Sequence, residues 1–130
     1  MKIKTLLLAA FLARGSCNGT IPPIACNMKA LTSQQRKQLG QVGEHVISAI
    51  IASRKLADGY AFRVDPAKAS LMDVAQWLEL WRRCCPFYEF QVDFHAADGS
   101  LWLSVKGRPG VKEYIALDSP RLPVLRLMRA

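Results

Sequence analysis

No C-x-x-C occurs in the sequence, so a thioredoxin-type oxidoreductase has little to work with. A Ser-His-Asp set, a Gly-rich phosphate loop and an H-E-x-x-H helix are missing as well, which removes the usual signatures of acyl transfer, nucleotide binding and zinc proteolysis. There is no internal repeat and no low-complexity tract, and no apolar run approaches the ~20 residues that cross a bilayer. Acidic residues are few, ten against eighteen Lys and Arg, for a net charge of +8. Setting aside Lys2, Lys4 and Arg14 near the N-terminus leaves fifteen basic residues against the same ten. They are dispersed as Arg36/Lys37, Arg54/Lys55, Arg82/Arg83, Lys106/Arg108 and Arg121/Arg126/Arg129, and none of these groups makes a continuous phosphate-tracking stripe. Nucleic-acid binding is therefore not indicated. What is present, 51% hydrophobic and 22% charged residues in 130, is the composition of one globular domain.

The chain opens on MKIKTLLLAAFLARGSC, a basic stretch, a short apolar run from Leu6 to Ala13 and then small residues. Residues 1–16 read as a signal peptide, and cleavage after Gly15 would place the small Ala13 at the minus-three position. Export to the periplasm or the medium is the expectation, with a cytoplasmic protein as the alternative if the leader stems from a misplaced start. Cys17 follows Ser16 as a lipid-bearing cysteine would, but Arg14 stands where such a signal wants an apolar residue. Residues 17–23, containing NGTIPP, form a linker, 24–118 a single domain and 119–130 a tail.

Within the domain, Ile24, Cys26 and Met28 alternate with Ala25, Asn27 and Lys29, which predicts a first strand with Cys26 on its apolar side. Thr32 and Gln35 form a capping-box pair, and Leu39, Val42, Val46 and Ile50 follow at helical spacing. They predict a helix from about Ser33 to Leu56, stopped by Asp58-Gly59. Tyr60, Phe62 and Val64 give a second strand. Ser70 and Asp73 open another helix, whose stripe Leu71, Val74, Leu78, Trp81, Cys85 would be buried, with Cys84 rotated off it by about 100°. Pro86 then changes the period. Tyr88, Phe90, Val92 and Phe94 face one way and Glu89, Gln91, Asp93 and His95 the other. Asp98-Gly99 reads as a two-residue hairpin turn leading to Leu101, Leu103 and Val105, which sets His95 opposite Trp102. A short helix over Val111–Leu117 completes an α+β fold in the order strand-helix-strand-helix-strand-strand-helix, a mainly antiparallel four-stranded sheet with helices on one face.

The chemistry concentrates in cysteine. Cys84 and Cys85 are adjacent, and a bridge between neighbours is disfavoured because their Cα atoms are held ~3.8 Å apart, whereas disulfides prefer about 5.5 Å or more. Two neighbouring thiols more naturally serve separate partners, or simply pack as small core groups. They end a helix, where the dipole opposes a thiolate and Arg82 and Arg83 offset it only in part. A soft metal overcomes that opposition because coordination deprotonates the thiol. Cys26, Cys84 and Cys85 then form a candidate three-sulfur site for Hg(II), Cu(I), As(III) or Zn(II). His95 is a possible additional ligand, and His45 lies off the apolar stripe of its helix. Glu79 and Arg83, four residues apart, read as a supporting surface ion pair.

Ile24-Ala25-Cys26, then Glu79-x-x-x-Arg83-Cys84-Cys85-Pro86-Phe87-x-x-Phe90, then a Gly-Val-Lys-Glu helix start at 110–113 resembles a family of small bacterial proteins with a Glu/Arg-rich Cys-Cys-Pro-Phe signature. Some members occur with, or fused to, heavy-metal-responsive regulators of the mercury-resistance type. The resemblance spans roughly Ile24 to Leu117 and implies a lean towards soft metals. Three expectations follow, in order: a non-enzymatic soft-metal or metalloid binder, a thiol redox protein or sensor in which Cys84 or Cys85 pairs reversibly with Cys26, and a structural or interaction domain. Export favours a disulfide at Cys26 over free thiols.

Overall fold

The computed structural model describes residues 21–118, so the leader, Cys17 and the tail lie outside it. After a single 3-10 turn at Met28–Ala30 come α1 (Ser33–Ser48), β1 (Ile50–Lys55), β2 (Gly59–Val64), α2 (Leu71–Cys84), β3 (Glu89–His95), β4 (Ser100–Lys106) and α3 (Val111–Asp118). The sheet runs β1-β2-β4-β3 with every neighbouring pair antiparallel. Two consecutive helix-hairpin units thus lie side by side, joined where β2 meets β4. The α+β class, the four antiparallel strands and the helices on one face are as the pattern predicts.

Both long helices begin on the expected caps. Thr32 Oγ1 accepts the Gln35 N–H while the Gln35 side chain accepts the Thr32 N–H, and Ser70 and Asp73 repeat the exchange. Each box satisfies two backbone donors that a helix start leaves unpaired. The core lies between the helices and one sheet face. Tyr60, Phe62 and Val64 of β2 stand opposite Val105, Leu103 and Leu101 of β4, and all six are buried. The other face carries Arg63, Trp102 and Arg54, whose guanidinium lies 4.6 Å from the Trp102 ring centre.

Three expectations about elements are corrected. The first strand is not at Ile24–Met28: that segment is a strap whose Asn27 N–H goes to the Cys84 carbonyl at 2.7 Å rather than to a sheet ladder. The fourth strand is instead Ile50–Lys55, taken from the end of the predicted long helix. Helix α1 closes at Ser48, whose hydroxyl donates to the His45 carbonyl at 2.7 Å, and the next carbonyl, Ala49, accepts the Asp65 N–H at the end of β2. Local side-chain bonding and strand pairing together outweigh the continuing helical period. The β3–β4 connection is four residues, Ala96 to Gly99. Gly99 has φ +70° and Asp98 accepts the Ser100 N–H, so His95 faces Ser100 and Asp93 faces Trp102. The two-residue shift keeps every side chain on its predicted face, because faces alternate with period two.

Two glycines mark close approaches. A Cβ at Gly43 would stand 2.9 Å from Nε1 of Trp77, so α1 lies against that indole, and one at Gly59 would overlap the Val105 carbonyl where β2 meets β4.

Candidate functional site

The stretch from Trp77 to Phe90 builds the site. Helix α2, which leads into it, buries Val74, Trp77, Leu80 and Cys84, while Leu71 is exposed and Leu78 and Trp81 are only partly covered. This corrects the helix face: Cys84 is on the buried stripe rather than off it. Two stripes share the 3–4 spacing, and the choice between them is made by Trp77, which seats on Gly43 and turns its own side of α2 inward. Trp77 and Trp81 stack at 4.6 Å, and Trp81 also meets Tyr88 and Phe90 at 5.2 and 5.1 Å. Phe87 and Tyr88 reach Tyr114 of α3, so aromatic rings join the end of α2 to the sheet and to the last helix.

Helix α2 stops at Cys85, whose N–H still bonds the Trp81 carbonyl at 3.0 Å while its backbone has left the helical region and Pro86 follows. That change of direction aims Cys85 at the N-terminal strap, where it is disulfide-bonded to Cys26, with Cα atoms 4.6 Å apart. Cys84, outside the bridge and buried, donates its thiol to the Trp81 carbonyl at 3.3 Å, and its sulfur lies 3.5 Å from that of Cys85. The strap is tied down around the bridge. Arg108 donates to the Pro22 carbonyl, Cys26 N–H to the Tyr114 hydroxyl at 3.3 Å and Asn27 N–H to Cys84. Cys26 is the half-buried end of the bridge and Cys85 the buried one.

The structure therefore gathers Cys26, Cys84 and Cys85 as a disulfide and an adjacent thiol rather than as three thiolates. Among the described residues, no three Cys, His, Asp or Glu side chains are disposed to hold a metal ion in this state. His95 is not brought to the cysteines. It sits on the open sheet face at the far end of β3, about 20 Å of extended chain from Glu89. His45 lies 3.4 Å from Asp73 and links α1 to α2. Glu79 binds Arg83 at 3.1 Å as expected, and also Arg82 at 2.9 Å, which the i, i+4 rule does not single out.

Hydrogen bonds from Arg82 first, and then Arg83, hold the Glu79 carboxyl down to about 2. A carboxyl depressed in the folded state adds stability above its ordinary range near 4.5 and loses it as pH falls through the lowered value. Wild type is thus expected to be more stable than Glu79→Gln at neutral pH, with the gap closing between pH 4.5 and about 2. Paired urea melts across that range check it. The effect is small because the triad is exposed.

No protein family, curated protein or solved structure matches this chain. Among the described residues, no helix is long and apolar enough to cross a membrane.

Proposed function

We propose that this protein is a thiol-disulfide switch whose working group is the Cys26–Cys85 pair. The observation that carries the reading is the Cys84 sulfur 3.5 Å from a bridge that ties a peripheral strap to the buried end of α2. An external dithiol would enter at half-buried Cys26. Two electrons and two protons from the dithiol break the S–S bond and leave two protein thiols, and the donor departs as its own disulfide. Opening the bridge frees the strap at its covalent anchor and leaves Cys85 beside Cys84 as a vicinal pair of thiols. Export, which the leader predicts, would keep the pair oxidised until such a donor is met.

Soft-metal binding is the second reading, and that same vicinal pair favours it. Once reduced, Cys84 and Cys85 offer two sulfurs to Hg(II), Cu(I) or As(III), and Cys26 returns as a third within reach of its former partner.

Equilibrating the protein in glutathione buffers and reading the redox state by mass tests the switch. A reversible two-dalton change with the fold retained is expected. A bridge that opens only on unfolding, or whose potential lies below about −300 mV, would mark a permanent staple and overturn the switch. Titrating the reduced protein with Hg(II) tests the second reading, which predicts tight binding that is lost in Cys84→Ser.

A further inference from the structure

The two edges of the sheet are built differently. The β1 edge is protected in the ways that strands usually are: its register is broken at Ile51, and Arg54 and Lys55 stand at its end. The β3 edge has none of these devices. Its seven residues, EFQVDFH, pair with β4 without a register break, contain no Lys, Arg or Pro, and have no strand on their outer side among the described residues. On the helix side of this edge, Val92 and Phe94 are 37% and 49% exposed. Val92 lines an apolar groove together with Leu71, Met72, Leu78 and Phe90, in which Met72 is 76% exposed.

We propose that a second copy of this chain occupies that edge, with β3 pairing antiparallel to its own counterpart about a two-fold axis at Val92. The sequence of β3 is self-complementary about that residue. Antiparallel pairing centred on Val92 sets Val92 against Val92 and Phe90 against Phe94 on the helix side. On the open side, Gln91 meets Asp93 and Glu89 meets His95. Directly opposed side chains share a face, so the apolar pairs bury together and the polar pairs combine acceptor with donor. The axis stands perpendicular to the sheet, so both copies present α2 on the same side. The Leu71 and Met72 flank of each copy then helps to close the groove, and the two sheets become one of eight strands. An isologous contact of this kind needs a surface that matches itself, and β3 meets that condition residue by residue.

Light scattering coupled to gel filtration of the full-length oxidised protein reads the assembly, and a thermal melt of each variant confirms its fold. Wild type is expected to be a dimer. Val92→Lys, which sets two lysines face to face on the axis, is expected to weaken it at least tenfold. Glu89→Lys alone is expected to weaken it less, and adding His95→Glu is expected to restore it, since the introduced lysine of one copy then faces the introduced glutamate of the other. A monomeric wild type would overturn the proposal, including one that dimerises only once residues 119–130 are deleted, because the tail would then hold the edge. A dimer indifferent to Val92→Lys in a folded variant would place the contact elsewhere. Failure of the double exchange to restore it would refute the register.

Discussion

Replacing Cys26 by Ser is expected to lower the folding free energy by about 4 kcal/mol, the largest loss from any single change outside the core. The bridge closes a loop of 59 residues in sequence separation, and removing that closure from the unfolded chain is worth about 4 kcal/mol in the chain-entropy account. The native side adds little to the loss, because the serine takes a half-buried position and Cys85 can remain as a buried thiol. The strap does not detach altogether, since Arg108 still holds Pro22 and Tyr114 still accepts from the residue 26 N–H. Urea midpoints of oxidised wild type, reduced wild type and Cys26→Ser supply the check. The last two should coincide. A loss below about 1 kcal/mol would mean that the unfolded chain is already compact enough to hold the strap near α2.

Trp77→Ala is expected to cost about 3–5 kcal/mol, the range for emptying a large aromatic site in a packed core. Trp77 is buried, stacks on Trp81 and fills the space that Gly43 leaves on α1. The sign of a second substitution makes the claim specific. In wild type, Gly43→Ala pushes a methyl to 2.9 Å from the indole nitrogen and should destabilise. In the Trp77→Ala background the clash is gone, and the same change should stabilise by about 1 kcal/mol through the better helix propensity of alanine. Four urea curves complete the cycle, and a Gly43→Ala effect of the same sign in both backgrounds would show that the two helices do not meet through this pair.

These two predictions rest on contacts that the sequence reveals unequally. Its local signals are reliable. Thr32/Gln35 and Ser70/Asp73 announce helix starts by bonding within four residues, and the alternation through β3 and β4 fixes which side chains face the core. Strand β1 is not legible, because Val42, Val46 and Ile50 continue a helical period and no glycine or proline separates Val46 from Ile50. What makes Ile50–Lys55 a strand is pairing with β2, a tertiary effect. The strap at Ile24–Met28 fails in the opposite sense: three alternating residues describe extended chain but carry no sign of a neighbour, and here the neighbour is the end of a helix. The meeting of Cys26 with that helix end is legible from two apolar faces. A bond from one of the pair to Cys26 is among the sequence's expectations, but the choice of Cys85 over Cys84 depends on how Cys85 leaves the helix before Pro86, and composition does not encode that.

The arrangement as two helix-hairpin units also bears on how fast the chain folds. Within each unit every strand pairs with its immediate successor, so those contacts are local and form early. Among the strand pairings, only the β2–β4 ladder joins residues from different units, such as Gly59 with Lys106 and Val64 with Leu101. Its formation must wait until the intervening chain, α2 and β3 included, has been drawn in, and the entropy of closing that loop falls on the docking of the two units, which the ladder shares with the α1–α2 contacts at His45–Asp73 and Gly43–Trp77. The seam between the halves is therefore the natural bottleneck of folding. Amides within each hairpin should gain protection from solvent exchange before those that cross the seam.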